Sequence, residues 1–395
     1  MKKKLLFVIP ALDLGGAEKS FVNLLNAIDF KRYEVDVFLM TRTGVFLDFI
    51  PKEVNILQQS QHFSDFSISY SQSILKFLKE RQISLVFYKI LFTICSRRIK
   101  NPVIKEQKMW KYLKHFFPLQ PKKYDVAISY LEKTSGYYVT EKTDAVKKIG
   151  WIHTDLEALG IDFDIENKYL ESFDYLVTVS AGLSERLGKK IPAFKSKIRT
   201  IENINSQKII SALSEEKIDF LFPENTVNIL YVGRLAQEKG LFNALDAMEI
   251  LIKKDYKINW YLIGSGNKHN EIQESAVAKG IGDKVHFLGV RNNPYPYIKS
   301  ADIFLLSSFY EGKSIALEEA KILNKPIVIT NFTSAKDQII NNETGLIAEM
   351  NAESIAQKIE LLINNDDLVA KMIKNLKRSA TGNEEEIKKM YELID

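Results

Sequence analysis

Short apolar runs separated by amphipathic helical stretches recur twice along this chain, and that double alternation restricts it to few folds. In the first half the runs are Leu5–Ile9, Val35–Met40, Leu85–Tyr88, Val126–Tyr130, Lys148–Ile152 and Tyr175–Val179. They are short and nearly continuous in apolar residues, the pattern of parallel strands covered on both faces. Helical patterns lie between most of them. In Ala17 to Ile28, for example, Phe21, Leu24, Leu25 and Ile28 return at three- and four-residue spacing on one face. A second series holds Val227–Val232, Trp260–Ile263, Val285–Leu288, Ile303–Leu306 and Pro326–Thr330, with helices such as Leu241–Lys253 and Ser314–Leu323 between them. Strand and helix alternating in this way predict an α/β protein of two doubly wound, Rossmann-like domains.

The boundary is expected near residues 198 to 225, where Pro223 and Asn225 end a polar stretch before a new strand begins. The expected domains are 1–200 and 201–378, followed by a terminal segment, 379–395. There Ile387, Met390, Tyr391 and Ile394 have helical spacing after the breaker-like Thr381-Gly382-Asn383, so a closing helix should pack back on the first domain. A chain of 395 residues, 46% hydrophobic, has ample material for two cores. Its net charge of +5 comes with no nucleic-acid reading motif, so nucleic acid is not an expected partner. The single cysteine, Cys95, excludes an internal disulfide and fits a reducing, cytoplasmic setting. Met1-Lys2-Lys3-Lys4 and the apolar run after it imitate a signal peptide, but Pro10 and Gly15-Gly16 read better as a first strand entering a glycine turn. No apolar stretch approaches the ~20 residues that cross a bilayer; the longest candidate, Ile83 to Cys95, is split by Lys89.

In an open α/β sheet, ligands bind at the carboxyl ends of strands, where helix N-termini offer unpaired amides. Three motifs sit there. Asp13-Leu14-Gly15-Gly16-Ala17-Glu18 allows close backbone approach to a ligand, or simply makes a tight turn. It lacks both the dinucleotide fingerprint and the Gly-Lys-Ser/Thr of a P-loop. Val232-Gly233-Arg234-Leu235 with Glu238-Lys239-Gly240 puts two cations at one strand end, fit for a diphosphate or else paired with Glu238 in solvent. Tyr310-Glu311-Gly312-Lys313-Ser314-Ile315, running on to Glu318-Glu319, places Glu311 in a loop, Ser314 as a helix cap and Glu319 on the helix. Two carboxylates so placed can accept hydroxyl groups at different points of a polyol, while Glu318 lies about 100° around the helix and faces elsewhere.

These motifs, in this order, resemble the retaining glycosyltransferases of family 4, whose two Rossmann-like domains facing each other across a cleft are called GT-B. The pair of glutamates with seven residues between them, Glu311 and Glu319, carries most of the resemblance, followed by Gly-Arg-Leu and the later Lys-Gly. It implies a first domain that binds the acceptor and a second that binds the donor. Arg234 and Lys239 would hold the donor diphosphate, Glu319 the ribose hydroxyls and Glu311 the donor sugar. The amides of Gly312, Lys313, Ser314 and Ile315 would reach sugar and phosphate, and Gly15 and Gly16 would close over the donor. Phe287 and Leu288 resemble a base-contacting segment, and Gly264 a turn lining the same pocket. Trp151-Ile152-His153-Thr154 is similar to the family's strand-end histidine segment, which would set His153 beside the donor sugar; read alone, such a histidine is more often structural. Many members carry Phe and then Gly or Pro after the Glu-Gly pair, where this chain has Lys313-Ser314, so the identity of the sugar is not legible.

The implied activity is transfer of a sugar, expected to be UDP-linked, to a glycan or lipid-linked acceptor in cell-surface polysaccharide or glycoconjugate synthesis. A non-catalytic accessory subunit and a GT-B epimerase or phosphorylase are the alternatives. No cofactor is expected. Asp162-Phe163-Asp164 imitates a metal-diphosphate signature but stands in a polar stretch, away from a buried strand, and a metal-independent reaction is the expectation. Residues 97 to 123 carry nine Lys/Arg against one acid, Glu106, with Trp110, Tyr112, Leu113, Phe116 and Phe117 interleaved. Such a segment suits peripheral contact with the anionic inner face of a cell membrane.

Overall fold

The computed structural model describes residues 2–13, 15–44, 46–311, 313–379 and 382–395, the side chain of Ile209 excepted. The chain divides into two compact units. One comprises Met1–Ile204 with Glu384–Asp395, the other Asn205–Asn383. The divisions fall at 204 and 383, where the sequence reading set them at 200 and 378.

The first unit is built on strands β1 (Lys3–Ile9), β2 (Tyr33–Leu39), β3 (Asn55–Ile56), β4 (Lys123–Ser129), β5 (Asp144–Ile152), β6 (Tyr175–Thr178) and β7 (Ile198–Thr200). They pair in the order β3-β2-β1-β4-β5-β6-β7, every pair parallel. The alternation of a strand sorts β1 between two cores. Leu5, Phe7 and Ile9 join the layer of helix α1 (Gly16–Ala27), where Phe21, Leu24 and Leu25 are buried. Leu6 and Val8 face the layer holding Trp110, Tyr137 and Tyr138.

The closing helix Glu386–Ile394 completes the first of these cores with Ile387, Met390, Leu393 and Ile394. Lys3 Nζ donates to the carbonyls of Ile394 and Asp395 at 3.0 and 2.8 Å, placing a cation where the helix dipole is negative. Tyr391 stacks on Tyr33 with ring centroids 5.1 Å apart. Met390 is wholly buried, so Met390→Ala should cost about 2–5 kcal/mol of stability, the usual range for emptying such a site. A melting temperature equal to that of the unaltered chain would contradict this packing.

One expected strand is not a strand. Leu85–Tyr88 lies inside helix α4 (Ile83–Arg97), the third of four helices between β3 and β4, with α2 (Gln61–Ser67), α3 (Tyr70–Lys79) and α5 (Pro102–Leu113). A short apolar run does not by itself distinguish strand from helix. Here the helices make their own small core of Phe66, Phe77, Leu85 and Phe116, so local packing settles the choice. Trp110, Phe116 and Phe117, read from the sequence as the aromatic part of a membrane-contacting segment, are buried.

The second unit has strands β8 (Val227–Val232), β9 (Ile258–Ile263), β10 (Val285–Gly289), β11 (Ile303–Leu306), β12 (Ile327–Thr330) and β13 (Leu346–Ala348), in the order β10-β9-β8-β11-β12-β13 and parallel throughout. The order reverses between β8 and β11, and the crevice at their carboxyl ends is where a doubly wound sheet binds its ligand.

Candidate functional site

The loops leaving β8 and β11 meet at that crevice. After β8, Gly233 and Leu235 donate to the carbonyls of Ile263 and Ser265, both at 2.9 Å, and the Tyr231 hydroxyl donates to the Arg234 carbonyl at 2.8 Å. The Gly-Ser-Gly turn after β9 packs directly against this loop. A methyl group on Gly264 (φ +138) would stand 1.9 Å from the Gly233 oxygen, and one on Gly266 2.1 Å from the Leu235 oxygen. Glycine is required because two backbones touch. The turn Gln237–Gly240 is stitched to the β11 loop: Ser307 Oγ donates to the Lys239 carbonyl at 2.8 Å, and the Phe309 amide to the Glu238 carbonyl at 2.9 Å.

These backbone contacts bring two expected site residues together. Lys239 Nζ and Ser308 Oγ both donate to Glu311 Oε1 at 2.7 Å, and the Lys239 and Glu311 side chains are 15% and 12% exposed. A mostly desolvated ammonium is thus held beside a carboxylate where the strands end. Arg234 is placed differently. Its side chain is 75% exposed and its guanidinium pairs with Glu238 at 2.9 Å.

The helix Ile315–Ile322 starts in the same place. Ser314 Oγ accepts the Leu317 amide at 3.3 Å as its cap, and the Ser314 amide donates to Gln338 Oε1 at 3.0 Å. Ser334 Oγ donates to the Glu311 carbonyl at 2.9 Å, tying the β12 side to the loop. Lys313 and Ile315 are half-buried; Gly312 lies outside the described residues. Glu319 is buried, and the Tyr295 hydroxyl donates to it at 3.4 Å. Burial, with the nearby Glu319 charge, keeps Tyr295 protonated well above the ordinary phenol range. Glu318 turns away to Lys321 at 3.0 Å. Phe287 and Leu288 sit on β10 half-buried, Phe287 4.6 Å from the His269 ring, and the Gly289 carbonyl accepts the Gly264 amide at 2.8 Å.

His153, Gly15 and Gly16 belong to the first unit. His153 follows β5; its amide donates to Glu132 Oε2 at 3.1 Å and its ring centroid is 4.9 Å from that of Tyr130. Burial pushes its imidazole down to about 3, against a hydrogen bond to the Tyr130 backbone that raises it. The ring is therefore neutral throughout the physiological range, and its Nε2 is buried with no partner among the described residues. Gly15 precedes α1, and the Glu18 carboxylate folds back over it, an oxygen 2.0 Å from where a Gly15 methyl would sit. Burial raises the Glu18 pKa, and Asp13 and Glu132 add to it.

The sequence reading did not single out Glu132, Tyr295, Ser308 or Gln338. Glu132 had a signal, an acid two residues beyond a buried strand. Ser308 stands three residues before Glu311 in the same loop, while Tyr295 and Gln338 come from separate short helices and are recognisable only from the packing. Asp162 Oδ1 accepts the Asp164 amide at 3.1 Å and caps the helix Phe163–Leu170, which gives that acidic pair a structural use. Among the described residues, the one His/Asp/Glu group with metal-ligand proximity is His62, Asp65 and Glu80 in the helical insertion, and there Asp65 is already neutralised by Lys76.

Fold and site together define a protein of two Rossmann-like domains, the second carrying charged groups at the switch point of its sheet. The same architecture is found in solved glycosyltransferases of the GT-B class. The chain aligns over 99% of its length, and 99% of the other's, with the Anabaena protein HepE solved with UDP and glucose, at a TM-score of 0.68 and 14% identity. A glycosyltransferase from Rickettsia africae gives a TM-score of 0.65 at 19% identity, over 100% of this chain and 98% of that one. At sequence level, residues 214–379, all within the second unit, match the family of group 1 glycosyl transferases. The capsular polysaccharide biosynthesis glycosyltransferase CapM of Staphylococcus aureus is 33% identical over 39% of this chain and 41% of its own. Alignments with the first curated relatives span about half of their length, between 41% and 59%. A longer match, 25% identical over 93% of this chain and 92% of the other, is to the Campylobacter jejuni N-acetylgalactosamine-N,N'-diacetylbacillosaminyl-diphospho-undecaprenol 4-alpha-N-acetylgalactosaminyltransferase.

Proposed function

We propose that this protein is a retaining glycosyltransferase of family 4, moving a sugar from a nucleoside diphosphate, UDP in the first instance, to a hydroxyl of a glycan or lipid-linked acceptor. The carrying observation is the partly desolvated Lys239–Glu311 pair beside the capped N-terminus of the helix Ile315–Ile322. An ammonium and a helix N-terminus at one strand-end crevice suit a diphosphate, and a carboxylate next to them suits the hydroxyls of a sugar. In this reading the second unit binds the donor and the first the acceptor.

Donor binding in this reading requires these pairings to change. Lys239 exchanges Glu311 for a phosphate oxygen, and Glu311 is freed to accept a sugar hydroxyl. Arg234, on an exposed side chain, swings from Glu238 to the diphosphate. As the bond from the anomeric carbon to the phosphate oxygen breaks, negative charge grows on the leaving diphosphate, and the two cations stabilise it. The acceptor oxygen bonds to the same face of that carbon, and its proton passes to the departing phosphate oxygen. No metal and no separate carboxylate base enter this scheme. His153, neutral at working pH, serves as a hydrogen-bonding group and carries no charge. A cytoplasmic setting on the inner side of the membrane, where nucleotide sugars are available, agrees with the single cysteine. Relatives named for capsule and undecaprenol-linked glycan synthesis support an acceptor of that kind.

Titration calorimetry with UDP and GDP tests the reading. UDP binding is expected, and Glu319→Ala should weaken it roughly 10- to 100-fold, the loss of charge-assisted bonds worth about 1.5–3 kcal/mol. Absence of affinity for either nucleotide would leave the fold as a non-catalytic accessory protein.

A further inference from the structure

Helix α4 buries a charge and exposes part of its apolar surface. Its one internal charge, Lys89, is buried, donating to the Phe66 carbonyl at 2.6 Å and lying 4.0 Å from the Phe66 ring centroid. Leu85 is buried, but three other apolar residues face solvent: Ile83 is 63% exposed, Phe87 56% and Ile94 49%. At about 100° per residue these three fall within roughly 40° of arc, a single stripe. On α3, which packs against α4, Leu75 and Leu78 are 58% and 46% exposed. Seven of the fifteen exposed large hydrophobics among the described residues lie between 68 and 94. Single exposed leucines need no explanation, whereas a contiguous apolar face implies something that covers it.

Charge names the cover. Residues 61 to 111 hold ten Lys/Arg and three acids, a balance of +7 where the whole chain has +5. Two of the acids are engaged locally, Asp65 with Lys76 and Glu106 with Lys133 and Thr134. The cations stand at the ends of the stripe, with Lys79 and Arg81 at one end and Arg97, Arg98 and Lys100 at the other. Two copies of this face would repel each other, while an anionic lipid surface meets both the stripe and its flanks. At 15 residues α4 is about 22 Å long, too short to span the ~30 Å hydrocarbon core, so it lies along the interface. Among the described residues no helix is long and apolar enough to cross a membrane.

We propose that the exposed face of α3 and α4, with the cations at its ends, is a docking surface for an anionic lipid bilayer. The apolar stripe enters the headgroup boundary and the lysines and arginines neutralise lipid phosphates. This moves the contact from Trp110, Phe116 and Phe117, which are buried, to helices α3 and α4, and leaves the later segment to supply charge. It does not rest on the glycosyltransferase reading, because vesicle partition needs no donor sugar.

The test is sedimentation of the full chain with phosphatidylglycerol/phosphatidylcholine vesicles and with phosphatidylcholine alone. Binding to the anionic vesicles at low salt is expected, falling as salt rises. Phe87→Glu with Ile94→Glu, and separately Arg97→Glu with Arg98→Glu, should each lower partition at least tenfold with unchanged melting temperature, since all four side chains are exposed. The proposal is overturned if the unaltered chain stays in the supernatant at low salt, or if the Phe87/Ile94 variant binds as the original does. It is equally overturned by a dimer that this variant dissolves with no vesicle binding in either form, which would give the face to a second copy.

Discussion

Lys239→Ala is expected to slow sugar transfer by about 10²- to 10³-fold, the loss seen when one preorganised group is removed from a developing negative charge. Its ground-state affinity for UDP should fall much less, because Arg234 and the helix N-terminus before Ile315 still face the diphosphate in the proposed arrangement. The distinction follows from position. Lys239 is fixed by the stitching of Gln237–Gly240 to the β11 loop and its side chain is only 15% exposed, so its charge acts in a partly desolvated site. Arg234 reaches from an exposed position and pays to become ordered. Release of UDP from UDP-sugars, followed alongside calorimetric affinity, separates the two effects. Turnover unchanged in the Lys239 variant would remove this lysine from the chemistry. Turnover and affinity lost equally would make it a binding residue only.

The second large effect is on stability. Gly264→Ala should destabilise the second unit by about 2–4 kcal/mol, because the added methyl meets a carbonyl oxygen of the backbone and no flexible side chain can move aside. At ~2–4 °C per kcal/mol for a domain of this size, the melting temperature should drop by roughly 5–15 °C. Gly160 is the matched control. It also has positive φ, +76°, but nothing stands within 4 Å of its missing methyl, so Gly160→Ala carries only backbone strain, about 1 kcal/mol. Equal melting of the two variants in calorimetry would show that the contact between the Gly-Ser-Gly turn and the Gly-Arg-Leu loop is not as tight as described.

Much of the second unit was legible in its residues. Val227–Val232 and Ile303–Leu306 form the strands expected of them with the same ends. The cations and acids of the motifs follow those strands directly, so their place at the carboxyl edge needed only the handedness of parallel α/β sheets. Pairing was legible only in part: a pair with Glu238 was one of the two readings of the Arg234/Lys239 motif, but which cation takes it was not. Glu238 neighbours Lys239 in sequence, yet it is Arg234 that pairs with Glu238, while Lys239 finds Glu311, 72 positions away. Of the two residues that hold the site carboxylates, Ser308 stands three positions before Glu311 in the same loop, whereas Tyr295, 24 positions from Glu319, comes from a separate helix and has no recognisable spacing.

The helical insertion marks the other limit. Leu85–Tyr88 read as a strand and 97–123 as an aromatic, membrane-facing segment; the first depended on what an apolar run packs against and the second on which face of a mixed apolar and basic segment turns inward. Hydrophobic periodicity is a local property of the chain: it located ten of the thirteen strands among the described residues, missing the short β3, β7 and β13, and it gave their parallel arrangement by way of the intervening helices and the edge at which charged loops emerge. The facing of α4, the burial of Lys89, Trp110 and Phe116, and the pairing of Lys239 with Glu311 are decided by groups distant in sequence. Burial energy and charge pairing depend on distances in space, and only the folded chain fixes those.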